Sequence, residues 1–268
     1  MHNWFGQGGE AYAAFRPHYP DALSDYLASL ISERRMALDV GCGSGQLTFS
    51  LARHFDHVIG LDPSAAQIQQ ADAARRKLGE ASARDNAQPE QNAQRVIFIQ
   101  SPAESIPCAD NSADLVTAAQ AVHWFDLARF YGEVRRVAKR GGLLALISYG
   151  IMKLDDALDE SFSLFYWRDL QAYWPPERKL VDDGYRALDF PFDEITAPEM
   201  AITCSWDLPA FLGYLSTWSA VRNATKQGHT DILMRFTKEI EARWGNPDKK
   251  RHIHWPLALR VGHMRPDL

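Results

Sequence analysis

The stretch from residue 37 to residue 52, ALDVGCGSGQLTFSLA, decides the fold of this chain. An apolar run typical of a buried strand leads into glycines at every second position, and a helical pattern of apolar residues follows. Glycine costs backbone entropy, so a turn this rich in it indicates that the bare backbone is needed there. The stretch is compatible with three ligands: a nucleoside triphosphate, a dinucleotide, or a molecule without phosphate.

The composition is that of an ordinary globular protein. Of 268 residues, 46% are hydrophobic and 24% charged, and the net charge of −5 gives no electrostatic argument for nucleic acid. No apolar run approaches the roughly 18 residues of a membrane span, and the N-terminus lacks a secretory signal pattern. An odd number of widely spaced cysteines favours reduced thiols. We expect a cytoplasmic protein that binds neither nucleic acid nor membrane.

Strand-like and helix-like segments alternate before Gly150, which predicts a parallel, doubly wound sheet with its ligand crevice at the carboxyl ends of the strands. The segment 79–94 has no apolar residue larger than alanine, which predicts a mobile surface loop. Strands are predicted over 36–41, 57–62, 95–101, 113–120, 143–149, 198–206 and 252–262. Helices are predicted over 47–55, 64–78, 126–139, 154–173, 208–224 and 229–243.

The residues around the glycine turn disfavour phosphate ligands. A triphosphate-binding loop needs a lysine after its last glycine, but Gln46 stands there and no lysine occurs between Met36 and Arg76. A dinucleotide fingerprint needs its third glycine at position 46, so a dinucleotide is also disfavoured. Asp39, Asp62 and Glu104 are expected at the crevice, where they would repel a pyrophosphate and attract a cation.

The spacing Asp39-x-Gly41-x-Gly43-x-Gly45 resembles the first motif of the class I S-adenosylmethionine-dependent methyltransferases. Further matches follow in order: an acid at the end of the second strand, the loop 101–116, and the segment 118–126, which resembles the ubiquinone-biosynthesis-like subgroup. The resemblance covers residues 36–150. The C-terminal half is similar to trans-aconitate methyltransferase-like enzymes.

The resemblance implies an α/β, Rossmann-like doubly wound sheet of seven strands, mostly parallel with an antiparallel last strand. Helices lie on both faces, and a helical cap is added. The implied organisation is a single domain over 1–268, divided into an N-terminal lid segment (1–35), a cofactor-binding core (36–150), an inserted cap (151–192) and C-terminal elements that complete the sheet and acceptor pocket (193–268).

The resemblance also implies the cofactor S-adenosyl-L-methionine, which becomes S-adenosyl-L-homocysteine, and no metal. Its sulfonium and ammonium suit an acidic crevice. Asp62 would bind the ribose hydroxyls, Ala103 and Glu104 would lie at the adenine edge, and Arg16 of the lid would reach the methionine carboxylate. The implied cofactor residues are Tyr12, Arg16, Tyr19, Asp39, Gly41, Cys42, Gly43, Gly45, Asp62, Pro63, Ala103, Glu104, Gln120 and Ala121.

The implied acceptor is a small molecule, with the carboxylate of an organic acid as one option. His123, just past the fourth strand, is the candidate general base, although a carboxylate acceptor needs no base. Trp124, Arg178 and Arg222 are candidate acceptor-binding residues. The two arginines are candidates because guanidinium suits carboxylate recognition. A nicotinamide-dependent oxidoreductase and a non-catalytic cofactor-binding protein remain alternatives, and the sequence does not distinguish a monomer from a homodimer.

Overall fold

A computed structural model describes residues 17–85 and 93–264. The described residues contain eight strands: β1 (Met36–Val40), β2 (His57–Asp62), β3 (Val96–Gln100), β4 (Ala113–Ala119), β5 (Ala138–Tyr149), β6 (Asp193–Ile195), β7 (Met200–Trp206) and β8 (Arg251–His263). They form one sheet in the order β3-β2-β1-β4-β5-β8-β6, with β7 paired to β8 outside that path. The carboxyl ends of β1 and β4 are therefore adjacent.

The first five strands pair in parallel, and β8 pairs antiparallel with both β5 and β6. This arrangement confirms the predicted mixed, doubly wound sheet. The described sheet has one strand more than the predicted seven, because Asp193–Ile195 forms a three-residue strand on the edge. A strand this short leaves no alternating pattern in the sequence from which to predict it.

The helices of the described residues are α1 (Asp21–Ser29), α2 (Gln46–Leu51), α3 (Ala65–Asp85), α4 (Leu127–Val137), α5 (Asp156–Leu164), α6 (Arg178–Asp182), α7 (Leu208–Ser216), α8 (Ser219–Lys226) and α9 (Thr230–Trp244). A π-helical turn, Phe165–Asp169, and a 3₁₀ turn, Gln171–Tyr173, follow α5. The single helix predicted over 208–224 is in fact two helices, because Trp218 adopts an extended backbone between them.

The loop predicted over 79–94 is wrong in its first part. Helix α3 continues to Asp85, since the alanine, glutamate and arginine of this segment have high intrinsic helix propensity. The absence of large apolar residues is compatible with a helix that is held by propensity rather than by burial. Residues 86–92 of that predicted loop lie outside the described residues.

The chain packs as two compact units. The sheet unit contains Tyr19–Gly150, Leu180–Met200 and the chain from Leu257 onward. One face of its sheet packs against Val181, Tyr185, Leu188, Phe190 and Phe192, all of them buried. Residues 180–192, which the sequence assigned to the cap, therefore belong to the sheet unit because their apolar side chains cover the sheet.

The second unit contains Ile151–Lys179 and Ala201–Pro256. Its core is aromatic: the rings of Phe165 and Phe236 stack with centroids 3.9 Å apart, and Trp244 and Trp255 are fully buried. This packing accounts for the concentration of tryptophan in the C-terminal half. Large aromatic side chains bury much area per residue, so they stabilise a unit built from short helices.

Candidate active site

The glycine turn joins β1 to α2 through three left-handed backbone positions. Gly41, Gly43 and Gly45 have φ angles of +73°, +55° and +85°. The backbone N–H groups of Gly41 and Cys42 both donate to the carbonyl of Leu61, at 2.7 and 2.9 Å. Residues with a Cβ rarely adopt these angles, so the turn requires glycine at all three positions.

Two of these glycines are also required by packing. A Cβ on Gly41 would lie 2.4 Å from the Cβ of Ala121, and one on Gly45 would lie 2.6 Å from the ring of Phe98. A Cβ on Gly43 would approach only the side chain of Gln67, at 3.7 Å. Gly43 is thus the position of the turn where the described residues leave the backbone open to close approach by a ligand.

Asp62 ties the end of β2 to this turn. Its carboxylate accepts a hydrogen bond from the backbone N–H of Gly43 at 3.0 Å and one from Ser64 at 2.8 Å. Pro63 stands between Asp62 and Ser64 in the sequence, and its carbonyl accepts a hydrogen bond from the side-chain amide of Gln100. A carboxylate has about four lone-pair directions, so Asp62 retains acceptor capacity for further donors.

Asp39 lies beneath the turn rather than at the crevice surface. Its side chain is buried, and its two oxygens accept hydrogen bonds from the hydroxyls of Thr48 at 2.6 Å and Thr117 at 3.0 Å. Burial raises the pKa of Asp39 to about 6, against the opposing effect of these hydrogen bonds. Asp39 therefore joins β1, α2 and β4; Asp62 is also buried, whereas Glu104, the third acid expected at the crevice, is half-buried.

Cys42 is half-buried between the turn and Gly60. Burial, reinforced by the carboxylates of Asp39 and Asp62, raises the pKa of the Cys42 thiol, which stays protonated near neutral pH. A neutral thiol is a weak hydrogen-bonding group. The contribution of Cys42 to the turn is the hydrogen bond from its backbone N–H to the carbonyl of Leu61.

The loop after β3 carries Ala103 and Glu104. Ala103 is buried in the sheet-unit core, whereas Glu104 is half-buried and accepts a hydrogen bond from the backbone N–H of Asp126 at 2.8 Å. Asp126 caps α4, accepting from the backbone N–H of Arg129. Glu104 thus connects the β3 loop to the segment that follows β4.

The segment after β4 lies against the glycine turn. Gln120 has a left-handed backbone, with φ at +55°, and its side-chain amide donates to the carbonyl of Tyr149 at 2.6 Å. Ala121 and the ring of Phe125 are the groups that a side chain on Gly41 would strike. Predicted residues at the ends of β1, β2 and β4 therefore meet around one turn, and Glu104 is bonded to the same segment after β4.

His123 and Trp124 lie in the 3₁₀ turn Val122–Trp124 of this segment. Nδ1 of His123 is 2.8 Å from the hydroxyl oxygen of Tyr185, and the imidazole is 4.9 Å from the indole of Trp124, centroid to centroid. The Trp124 side chain is 61% exposed. Sequence reasoning missed Tyr185, because it stands in no motif and reaches His123 only through the fold.

The remaining predicted residues lie elsewhere. Tyr12 and Arg16 lie outside the described residues, and Tyr19 packs edge-on against Tyr149, with centroids 6.1 Å apart. Arg178 and Arg222 belong to the second unit.

Arg178 and Arg222 each donate a hydrogen bond to another residue of the second unit. The Nε–H of Arg178 donates to the Tyr166 hydroxyl at 2.8 Å, and its guanidinium lies 4.9 Å from the ring centroid of Trp174. Arg222 donates to the carbonyl of Thr217 at 2.6 Å. Arg178 is therefore the arginine of the two that lies against aromatic rings.

Within residues 17–85 and 93–264, no three His, Cys, Asp or Glu side chains are placed to hold a metal ion. No helix in these ranges combines the length and the apolar character that crossing a membrane requires.

Comparison with known proteins agrees with this geometry. Residues 38–146 match a family model described as a methyltransferase domain. A Dictyostelium discoideum protein named as a methyltransferase is 36% identical over 262 residues, covering 95% of this chain and 92% of the relative. A solved structure from Anaeromyxobacter dehalogenans, described as a type II methyltransferase, is 40% identical with a TM-score of 0.81, covering 94% of this chain and 99% of its own.

A Saccharomyces cerevisiae protein, whose name places it among S-adenosylmethionine-dependent methyltransferases, shares 29% identity over 143 residues. That match covers 49% of this chain and 44% of the yeast protein. The Dictyostelium and Anaeromyxobacter matches, in contrast, extend over nearly the whole of both chains.

Proposed function

Because the chain belongs to the class I S-adenosylmethionine-dependent methyltransferases, we propose that it transfers the methyl group of S-adenosylmethionine to a small-molecule acceptor. The observation that carries the cofactor assignment is the hydrogen bond from Gly43 to Asp62, which joins an open backbone turn to a carboxylate. The combination provides a surface for close approach and an acceptor for hydroxyl donors, with no lysine in the surrounding sequence from Met36 to Arg76 to attract phosphate.

The residues of the sheet unit fit this cofactor. Asp62 retains lone pairs for the two ribose hydroxyls, and Gly43 leaves room for the ligand beside it. Glu104, which is half-buried near the start of α4, adds a second acid, and this favours a cationic ligand. When bound, S-adenosylmethionine supplies an activated methyl group on a sulfonium.

The protein then has mainly to bind the methyl donor and the acceptor, to orient them, and to exclude water from the site. Aligning donor and acceptor at about 3–3.5 Å supplies most of the acceleration of such a displacement. Trp124 presents an exposed indole face beside the turn and is proposed to contact the acceptor. His123 is required as a base only if the acceptor carries a proton that must leave; a carboxylate acceptor requires none.

We propose the carboxylate of an organic acid as the acceptor group. Arg178 supports this choice, since a guanidinium suits planar carboxylate recognition and this one lies against the rings of Tyr166 and Trp174. Arg222, which is exposed and bonded to a carbonyl, is the second candidate ligand. The two arginines are distinguishable by substitution.

Methyl transfer is tested by incubating the protein with donor labelled in its methyl group and a metabolite extract, then separating small molecules from macromolecules. We expect label in the small-molecule fraction, released as methanol by mild alkali because esters are hydrolysed and ethers are not. Label confined to nucleic acid or protein would contradict the small-molecule acceptor, and alkali-stable label would contradict the ester.

The acceptor-binding residues are tested with Arg178→Gln and Arg222→Gln in the same assay. Arg168→Gln is the matched control, because Arg168 pairs with its neighbour Asp169 on the surface of the same unit. Transfer at low acceptor concentration should fall with Arg178→Gln and stay unchanged in the control. If all three variants transferred the methyl group as fast as the wild type, neither Arg178 nor Arg222 would bind the acceptor.

A further inference from the structure

Tyr185 makes the most direct contact with the candidate catalytic histidine. Its side chain is fully buried in the core of the sheet unit, and its hydroxyl lies 2.8 Å from Nδ1 of His123. The two rings are 6.0 Å apart, centroid to centroid, and inclined by 31°. A buried phenol can hold an imidazole in one orientation because its own ring cannot rotate away.

The backbone of Tyr185 is strained. Its φ angle is +62°, a left-handed conformation that bulky residues rarely adopt and that clusters at functional sites. The preceding residue, Gly184, is also left-handed, with φ at +65°. The N–H of Tyr185 donates to the carbonyl of Leu180 at 2.8 Å, which closes the turn around this residue.

Arg260 of β8 holds the strained turn from the other side. One of its terminal nitrogens donates to the carbonyls of Tyr185 and Leu188, at 3.1 and 2.6 Å. Its remaining donors form a bidentate pair with Glu194 of β6, at 2.9 and 2.8 Å. Hydrogen bonds therefore hold the backbone of Tyr185 to the edge of the sheet, and the side chain of the same residue contacts the imidazole of His123.

Chemistry decides the direction of the bond between the two rings. A phenol is a stronger proton donor than a neutral imidazole, and an imidazole nitrogen is a stronger acceptor than a phenol oxygen. The hydroxyl of Tyr185 should therefore donate to Nδ1, which leaves the imidazole proton on Nε2. In that form Nε2 donates hydrogen bonds and cannot act as a base.

We propose that Tyr185 is a positioning residue that fixes His123 as the Nε2–H tautomer, in which Nε2 is a hydrogen-bond donor and not a base. That the imidazole takes part in methyl transfer rests on the proposed function, whereas the tautomer does not. A donor at this position agrees with a carboxylate acceptor, which needs no base.

The tautomer is measured by long-range nitrogen–proton correlation spectra of the protein labelled with ¹⁵N in histidine. In the wild type we expect Nδ1 of His123 to be unprotonated and hydrogen-bonded, and Nε2 to carry the proton. Tyr185→Phe should shift the Nδ1 resonance to that of a nitrogen without a donor. A wild-type spectrum with the proton on Nδ1, or with exchanging tautomers, overturns the proposal without any variant.

Tyr131→Phe is the matched control for Tyr185→Phe. It removes another buried hydroxyl of the same core, one that donates to the carbonyl of Asp189 at 2.7 Å and is not bonded to His123. The control should leave the His123 resonances unchanged. Equal shifts in both variants would show general loosening of the core and would contradict a specific role of Tyr185.

Calorimetry with S-adenosylhomocysteine separates this proposal from the proposed function. The Tyr185→Phe variant should bind that ligand with the wild-type Kd, because the hydrogen bond removed is the one to His123 and those of Asp62 with Gly43 and Ser64 stay in place. If neither protein binds it, the proposed function fails while the tautomer result stands. If the wild type binds the ligand and the His123 resonances are the same in Tyr185→Phe as in the wild type, the positioning role of Tyr185 is wrong and the proposed function is unaffected.

Discussion

The carboxylate of Asp62 accepts a hydrogen bond from the backbone N–H of Gly43 at 3.0 Å, so the end of the second strand holds the most open point of the glycine turn. The second oxygen is bonded to Ser64, at the start of α3. One side chain thereby sets the geometry of the turn and presents lone pairs beside it. Substituting Asp62 should therefore change the binding of a ligand at the turn.

Asp62→Ala is predicted to weaken binding of S-adenosylhomocysteine. A hydrogen bond to a charged group contributes about 1.5–3 kcal/mol, so the loss of one such bond to the ribose should raise Kd by about tenfold or more. Asp72→Asn, in the middle of α3 with an exposed partner in Arg75, is the control and should bind as the wild type does. Calorimetry gives both constants, and an unchanged Kd for Asp62→Ala would refute the ribose assignment.

Gly41→Ala is predicted to destabilise the fold more than Gly141→Ala. Both positions have a left-handed backbone, with φ at +73° and +75°, which costs about 1–2 kcal/mol for alanine. At Gly41 the new Cβ would also lie 2.4 Å from Ala121, whereas at Gly141 it meets nothing within 4 Å. Overpacking should add about 1–3 kcal/mol.

Urea unfolding of the two glycine variants isolates the contribution of packing. Equal free energies of unfolding for Gly41→Ala and Gly141→Ala would mean that the segment after β4 moves aside without cost. The close packing inferred between that segment and the turn would then be wrong.

Asp39 predicts a loss of stability as pH rises. Burial raises its pKa from 3.8 to about 6, so the folded protein retains a proton that the unfolded chain releases between about pH 4 and pH 6. Ionising the buried group therefore lowers the free energy of unfolding as pH rises through this range, by about 3 kcal/mol in full. Relative to Asp39→Asn, the wild type should lose stability between pH 4 and pH 7. Parallel pH profiles would contradict this origin.

Glu194 predicts the opposite dependence. Its hydrogen bonds from Arg260 lower the pKa of the carboxyl below its ordinary value of 4.5. The stabilisation is therefore present above that value and is lost as pH falls through the lowered pKa of the folded state. Glu194→Gln should destabilise the protein near neutral pH and approach the wild type in acid.

The control for Glu194 is Glu33→Gln. The pair of Glu33 with Arg35 is largely exposed and should contribute almost nothing at any pH. If both glutamine variants unfolded at the wild-type denaturant concentration near neutral pH, the ion pair of Glu194 with Arg260 would not contribute to stability.

The sequence was most informative where local chemistry determines structure. Alternation of apolar strands with helical patterns predicted the parallel sheet, and the glycines at 41, 43 and 45 predicted a sharp turn at its ligand edge. Each strand, helix and turn in these patterns is recognised from neighbouring residues in the sequence. The helix over 79–85 has no large apolar residue and therefore no apolar pattern from which to predict it, although intrinsic propensity is enough for a helix end.

Tertiary contacts explain what remained beyond sequence reasoning. Asp39 was expected at the crevice surface, but Thr48 and Thr117 enclose its carboxylate from two other elements. Tyr185 reaches His123 across 62 positions of sequence, and no spacing rule relates the two. Such contacts depend on how the elements pack, so they become visible only in the folded chain.

Calorimetry tests whether this site binds a cationic, phosphate-free adenosyl cofactor. We expect S-adenosylmethionine and S-adenosylhomocysteine each to bind to the wild type with one-to-one stoichiometry, Asp62→Ala to bind both more weakly, and NAD not to bind. Tight binding of NAD, with no binding of either adenosyl ligand, would contradict the proposed cofactor.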